Sequence, residues 1–464
     1  MSAIAIHLAP LSSTPTGASA LAPPRSAGAL LSRVFALLDR LGVPFIVSHG
    51  YLTYPYEVAG DVDMMVEPHW LMKLPALLSA NRAELGADLV QWIDAGPQFF
   101  VLATQLPDQA PVLLQLHVSA SYELGGRVYY TAEDILSSRL RRGSFFIPRS
   151  HLEFCCVLLN KLAKGKLTEA HQDRLTQLWK QDEAGCEAAL RQWIGHREVR
   201  LIEAAIASGD WRAVQFELPV LAKLAASRGR RIGLAESARR QANRIARWLR
   251  PDRGLHVVFL GPDGAGKSTL IERVEHDLHD AFLHHAYLTF APGLIPGRLA
   301  VPKPGGPHSL PPRSLPASLA KAGWWLVCYT VGYFATVHPT RARGGLVINH
   351  RYLVDAIVDR KRYRYSGPTK LLRAIWHIAP KPDLVILLDA PPEVIHARKK
   401  EVALEEIIRQ RDGYKEIVGS LDYAFLVSTD QPIDAAVALV EGVLLDFCAE
   451  RLKHAMVGEP EVSA

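Results

Sequence analysis

LHVVFLGPDGAGKSTLIERVEHDL, residues 255–278, is the stretch that decides the fold. It opens on a short apolar run at Leu255–Leu260, turns through glycines, and continues with apolar residues at helical intervals, the order strand, turn, helix. Gly261, Pro262, Asp263, Gly264, Ala265, Gly266, Lys267 and Ser268 satisfy G-x-x-x-x-G-K-[ST]. The glycines of such a loop let backbone amides close around phosphates at a helix N-terminus. Lys267 supplies a cation, and Ser268 offers its hydroxyl to Mg²⁺. Thr269 completes the stretch expected to touch the nucleotide. So short a pattern occurs by chance; its place after a strand and before a helix is what gives it meaning.

Working outward, residues 345–349 (GLVIN) and 383–388 (DLVILL) are continuous apolar runs, as expected of strands buried on both faces of a parallel sheet. A further strand is predicted over 423–427 and a closing helix over 433–452, while residues 291–316 are rich in Pro and Gly and read as a loop. Gly323–Val337 (GWWLVCYTVGYFATV) raises the question of a membrane. It falls short of the ~20 residues a spanning helix needs, so a buried helix is expected and no stable membrane insertion.

The loop GPDGAGKST resembles that of thymidylate kinases, and two later stretches extend the resemblance over about 255–452. VINHRYLVDAIVDRKRYRYSGP (347–368) resembles their Asp-Arg-Tyr segment, and PKPDLVILLDAPPEVIHARKKEVALEEIIRQRDGYKEI (380–417) their late strand and lid. The resemblance implies Asp263 beside the metal and the acceptor phosphate, Arg351 gripping that phosphate, and Arg398, Lys399 and Lys400 closing over ATP. Asp389, following a strand, is expected at the nucleotide end of the sheet or as a cap of the turn. One departure stands out: His350 occupies the place of the family's Asp. Asp355 and Asp359 lie nearby and could compensate; His350 itself reads as an ordinary loop histidine or as a base. In Arg360–Tyr365 cations alternate with aromatics, a composition that suits single-stranded nucleic acid. The resemblance instead makes this segment the acceptor-side wall, so a small phosphorylated acceptor is expected and no nucleic acid.

Nearer the N-terminus, 29–41 shows helical spacing that Gly42 ends, and short strands are predicted at 43–47, 61–66 and 112–118. Val47-Ser48-His49-Gly50 followed by Gly60-Asp61-Val62-Asp63 resembles the Gly and Asp-x-Asp arrangement of the nucleotidyltransferase fold. Alternate residues of a strand point the same way, so Asp61 and Asp63 can chelate one metal, although surface strands often carry alternating acids. That fold places a third carboxylate on a later strand, where this chain has Gln115, a poorer ligand; the site is then degenerate. His117 reads as a core residue.

Residues 149–248 are helical in pattern, and 223–253 carry ten Lys or Arg against Glu236 and Asp252, a run read as a solvated linker helix or as a dock for anions. The 464 residues are 49% hydrophobic and 22% charged with a net charge of +6, which excludes a disordered or collagen-like chain and suits the handling of anions. Five cysteines without a CxxC pair indicate neither a disulfide framework nor a zinc site, and a cytoplasmic setting is expected.

The expectation is an α/β protein: a disordered leader (1–28), a small nucleotidyltransferase-like domain (29–148), a helical connecting region (149–253), a P-loop parallel sheet flanked by helices (254–455) and a disordered tail (456–464). The resemblance as a whole is to bacterial fusions of these two domains, met among polysaccharide-biosynthesis genes. It implies a kinase that uses ATP and Mg²⁺ on a nucleoside monophosphate or other phosphorylated metabolite. Two rivals remain: an ATP-binding regulator of an exopolysaccharide pathway, and a nucleotidyltransferase acting through the N-terminal domain. A homodimer is left open.

Overall fold

A computed structural model of the protein describes residues 22–107, 109–250, 252–292, 311–399 and 402–457. Most of the expected leader, residues 293–310 of the expected loop, Lys400 and the end of the expected tail lie outside the described residues. Contacts divide the chain into two units: Pro24–Val101 with Leu114–Asn243, and Arg244–Ala464 with Leu102–Leu113.

In the first unit a helix at Ala27–Arg40 starts where the Ser26 hydroxyl accepts from Ala29 N–H, and it buries Leu30, Leu31, Val34, Phe35 and Leu38. The sheet nearby runs β1 (Phe45–Val47), β2 (Val62–Val66), β3 (Asp88–Asp94), β4 (Gln98–Leu106) and β5 (Gln109–Ser119) in the spatial order β1-β2-β5-β4-β3. β1 pairs antiparallel with β2, and β2 parallel with β5. The helices Ser150–Lys164, Glu169–Gln181, Glu183–Trp193, His196–Ser208 and Arg212–Arg228 follow. Their apolar faces, including Phe154, Trp179, Ile202 and Leu221, share one core with Ile46 of β1 and Met65 of β2. The basic helix Leu234–Leu249 buries none of its residues. Its Arg240 is neutralised by Glu236 and Glu123, at 2.6 and 2.7 Å, as a solvated face requires.

The second unit is built on five parallel strands: β6 (Leu255–Leu260), β7 (His285–Leu288), β8 (Leu346–Asn349), β9 (Leu384–Asp389) and β10 (Ala424–Ser428), in the order β7-β8-β6-β9-β10. β6 and β9 are buried throughout, because helices cover both faces of a sheet joined by crossovers. That burial is why these two runs read as continuously apolar in the sequence. The last helix, Ile433–Val457, closes the unit.

The apolar run 323–337 corrects one expectation. It forms the end of a helix, Leu315–Gly332, and a π-helical turn, Tyr333–Val337. Trp325, Tyr329 and Tyr333 are turned inward, but Trp324, Val331 and Phe334 are 55–60% exposed. A helix apolar on all sides can press only one of them against a sheet, so this one is half-buried. Among the described residues no helix is long and apolar enough to cross a membrane.

The turn after β6 tolerates no side chain at two points. Gly261 has φ +138 and a Cβ there would stand 2.4 Å from the Leu388 carbonyl; Gly264 has φ +95 and would meet the Ile395 carbonyl at 2.9 Å. Gly261→Ala is expected to lower the stability of this unit by roughly 1–3 kcal/mol, the usual cost of a strained backbone position. A fall in its denaturation midpoint checks this; an unchanged midpoint contradicts the steric account.

Candidate functional site

The loop 261–266 lies beyond the C-terminal end of β6, with β8 and β9 on either side, the edge of an open parallel sheet where ligands collect. The helix Lys267–Asp277 begins on the lysine itself, so its first amides face the loop. Asp263, Gly264, Gly266, Lys267, Ser268 and Thr269 line a cavity of ≈ 670 Å³. Gly261, Pro262 and Ala265 do not line it. Lys267 is 5% exposed and donates to the Gly261 and Pro262 carbonyls at 2.6 and 2.8 Å. Burial, with Arg351 beside it, lowers its ammonium to about 7.

The opposite wall comes from the turn after β8 and from the segment following the helix Leu353–Val358. Arg351 and Arg362 both donate to Asp263, one to each carboxylate oxygen. Lys399 stands 3.9 Å from the same carboxylate. Burial works against ionisation of Asp263, but Arg351, Lys267 and Arg362 outweigh it and hold the carboxyl well below its usual range. The aromatic residues of the basic segment serve the core: Tyr363 packs on Phe290 with ring centroids 4.6 Å apart, and Tyr365 is 3% exposed. Tyr363 and Phe290 also line the cavity.

Arg351 is placed by Asp355, which is fully buried. Its carboxylate accepts from Tyr352 N–H at 2.8 Å, from Tyr414 Oη at 2.8 Å and from Arg351 Nη1 at 3.2 Å. Asp359 accepts from Arg362 N–H at 3.1 Å. Neither carboxylate lines the cavity, so neither takes over for the carboxylate that His350 replaces; both shape the turn that carries the arginines. Asn349 fixes the other side of that turn, donating to the Phe290 carbonyl at 2.9 Å. His350 itself lines the cavity, with Nε2 3.4 Å from Ser268 Oγ. Burial, Lys267 and Arg351 push its ring down to about 4, so it is neutral at physiological pH.

Arg398 lines the cavity and donates to the Thr429 carbonyl at 3.0 Å; Lys399 joins it, and Lys400 is outside the described residues. Asp389 sits at the end of β9 as expected, but Arg411 at 2.6 Å and Lys415 at 2.8 Å neutralise its carboxylate. It therefore neither caps a turn with its side chain nor faces the cavity. Asp263 is the one carboxylate among the described lining residues. Mg²⁺ fits the donors here in part: Ser268 Oγ and Asp263 are hard oxygen ligands of the kind it takes, while His350 adds a nitrogen.

In the first unit Asp61 and Asp63 come together, Asp61 just before β2 and Asp63 within it. His117 joins their cluster, and with its side chain 41% exposed this corrects the reading of His117 as a core residue. β5 pairs with β2 so that His117 lies opposite Asp63, with Nδ1 2.9 Å from Asp63 Oδ1. His49, after β1, brings Nε2 to 3.2 Å from Asp63 Oδ2. Burial opposes ionisation of Asp63, but the hydrogen bond from His117 and the charges of His49 and Lys164 hold its carboxyl low. The same hydrogen bond raises the His117 ring. A signal existed in the sequence: residues 115 and 117 share a face of one strand, but the register that sets His117 opposite Asp63 is tertiary.

The second unit is thus an α/β fold of the P-loop kind, with a cationic cavity at the end of its central strand. No protein-family model matches the chain, and no curated protein matches it. Among solved structures, thymidylate kinase from Ehrlichia chaffeensis is similar, at 16% identity and a TM-score of 0.30, covering 41% of this chain and 98% of that one.

Asp355→Asn removes the charge that opposes Arg351 inside the protein. It is expected to cost roughly 3–5 kcal/mol, as breaking one partner of a buried pair does. Chemical denaturation followed by tryptophan fluorescence measures this; a loss under about 1 kcal/mol excludes a structural part for the pair.

Proposed function

We propose that the second unit transfers the terminal phosphoryl group of ATP to a small phosphorylated acceptor, with a nucleoside monophosphate as the first candidate. The observation that supports this reading is the convergence of Gly264, Lys267, Ser268, Arg351, Arg362 and Arg398 on one cavity. Phosphoryl transfer asks of a protein mainly positioning and cations around the equatorial oxygens, and this cavity supplies both. The loop amides and Lys267 hold the polyphosphate, Arg398 and Lys399 approach it from the lid side, and Arg351 and Arg362 receive the acceptor's phosphate. The bond between the terminal phosphorus and its bridging oxygen breaks, ADP leaves, and an acceptor phosphate oxygen forms a new phosphoanhydride. Ser268, with Asp263 near it, would hold Mg²⁺, which would supply neutralisation of charge on the phosphates.

Asp263 has a definite task in this scheme. Without ligand it neutralises both arginines, so an incoming phosphate takes over partners that are already aligned, and preorganised donors add nothing to the barrier for reorganisation. A second reading rests on Asp389, whose ion pairs remove from the cavity a carboxylate that could order a metal-bound water. In it the unit binds ATP without transferring phosphate and serves as a regulator.

Mg-ATP with a panel of nucleoside monophosphates including dTMP separates the two. ADP and a new phosphoanhydride formed with one acceptor, and lost at least ~10²-fold in Lys267→Ala, is the expected result. ATP binding without turnover on any acceptor supports the regulator. Arg362→Ala is expected to raise KM for the acceptor at least ~10-fold while leaving KM for ATP within about 2-fold, since one charge-assisted bond is worth roughly 1.5–3 kcal/mol.

The pH dependence has a defined sign. The Lys267 ammonium is lowered to about 7 in the free protein, and phosphates beside it favour the charged form. Binding therefore takes up a proton above pH ~7, and ATP affinity falls as pH rises through that value. Calorimetry in buffers of different ionisation enthalpy measures the uptake; zero uptake at pH 8 contradicts a neutral Lys267 in the free state.

A further inference from the structure

The cluster in the first unit is not the oxygen-only set that a pair of Mg²⁺ ions takes. Asp61 and Asp63 stand on one face of β2 and the residue before it, and His117 stands opposite Asp63 on the adjoining parallel strand. One ligand atom from each of the three lies within 4.8 Å of the others. His49 reaches Asp63 from the other side at 3.2 Å, so the carboxylate stands between two imidazoles. The side chains of His49 and His117 are 48% and 41% exposed, which leaves an ion a path from solvent.

Two carboxylates and an imidazole are a mixed donor set. Mg²⁺ demands near-octahedral oxygen coordination and dehydrates reluctantly, whereas imidazole nitrogen favours Zn²⁺, Co²⁺ and Ni²⁺. Bonds of ~2.0–2.2 Å at tetrahedral angles put adjacent ligand atoms ~3.3 Å apart. The 2.9 Å between His117 Nδ1 and Asp63 Oδ1 needs only a small opening to reach that spacing. We infer that Asp61, Asp63 and His117 hold one borderline transition-metal ion of the Zn²⁺ type, in place of the paired Mg²⁺ ions of nucleotidyl transfer.

The test uses full-length protein stripped with a chelator and titrated with Co²⁺, whose visible d–d absorption reports tetrahedral nitrogen and oxygen ligands. One Co²⁺ per chain with that absorption, displaced by an equivalent of Zn²⁺ and not by millimolar Mg²⁺, is the expected result. His117→Ala is expected to weaken Co²⁺ at least ~10-fold, and His117→Asp to weaken Co²⁺ while letting Mg²⁺ compete. Asp61→Asn changes an exposed side chain, so its ~10-fold weakening reads the site even where a His117 variant fails to fold. Co²⁺ uptake and spectrum identical in wild type, His117→Ala and Asp61→Asn overturn the assignment, as does displacement of Co²⁺ by equimolar Mg²⁺. The absence of any uptake also overturns it, by showing that the two histidines only neutralise Asp63.

Discussion

Everything at the cavity turns on how one carboxylate, Asp263, is held. It hangs from the loop after β6, and the two guanidiniums that grip it come from the turn after β8 and the segment beyond it. The ion pairs therefore join two crossovers of the sheet beside the cavity. Behind them stands Asp355, buried and shared among Arg351, Tyr414 and a backbone amide. A charge kept out of water is costly unless its partners are fixed, and here each partner is fixed by another. The outcome is a rigid cationic wall of the kind that binding phosphates calls for.

The sheet supplies the frame for this arrangement. Five parallel strands bring the ends of β6, β8 and β9 to one edge, and the glycine loop bends there because the Leu388 and Ile395 carbonyls leave no space for a Cβ. Lys267 donates to the loop carbonyls of Gly261 and Pro262. The cost of burying its ammonium appears as a lowered pKa, which couples ligand binding to a proton. His350, pushed the other way from charge by the same cations, presents a neutral ring where the resembled family has a carboxylate.

In the first unit the parallel pairing of β2 and β5 plays the corresponding part. It sets His117 opposite Asp63, close enough for the imidazole and the carboxylate to share a hydrogen bond. The helices after residue 150 support this sheet through a shared core with Ile46 and Met65.

The sequence by itself determined the elements whose signals are local. The apolar runs of β6 and β9, the glycine loop, the helix starting at Lys267 and the basic solvated helix all follow from period, β-branching and turn chemistry within a few residues. It also set the glycine loop between a strand and a helix that starts on Lys267. What it left open were pairings between residues far apart in the chain: Arg362 with Asp263, Asp355 with Tyr414, Asp389 with Arg411, and His117 with Asp63. It also misjudged Gly323–Val337, because hydropathy tells how apolar a helix is and not how much of its surface the sheet can cover. Charges and hydrogen bonds act over a few ångströms, and only the tertiary structure decides which groups come that close.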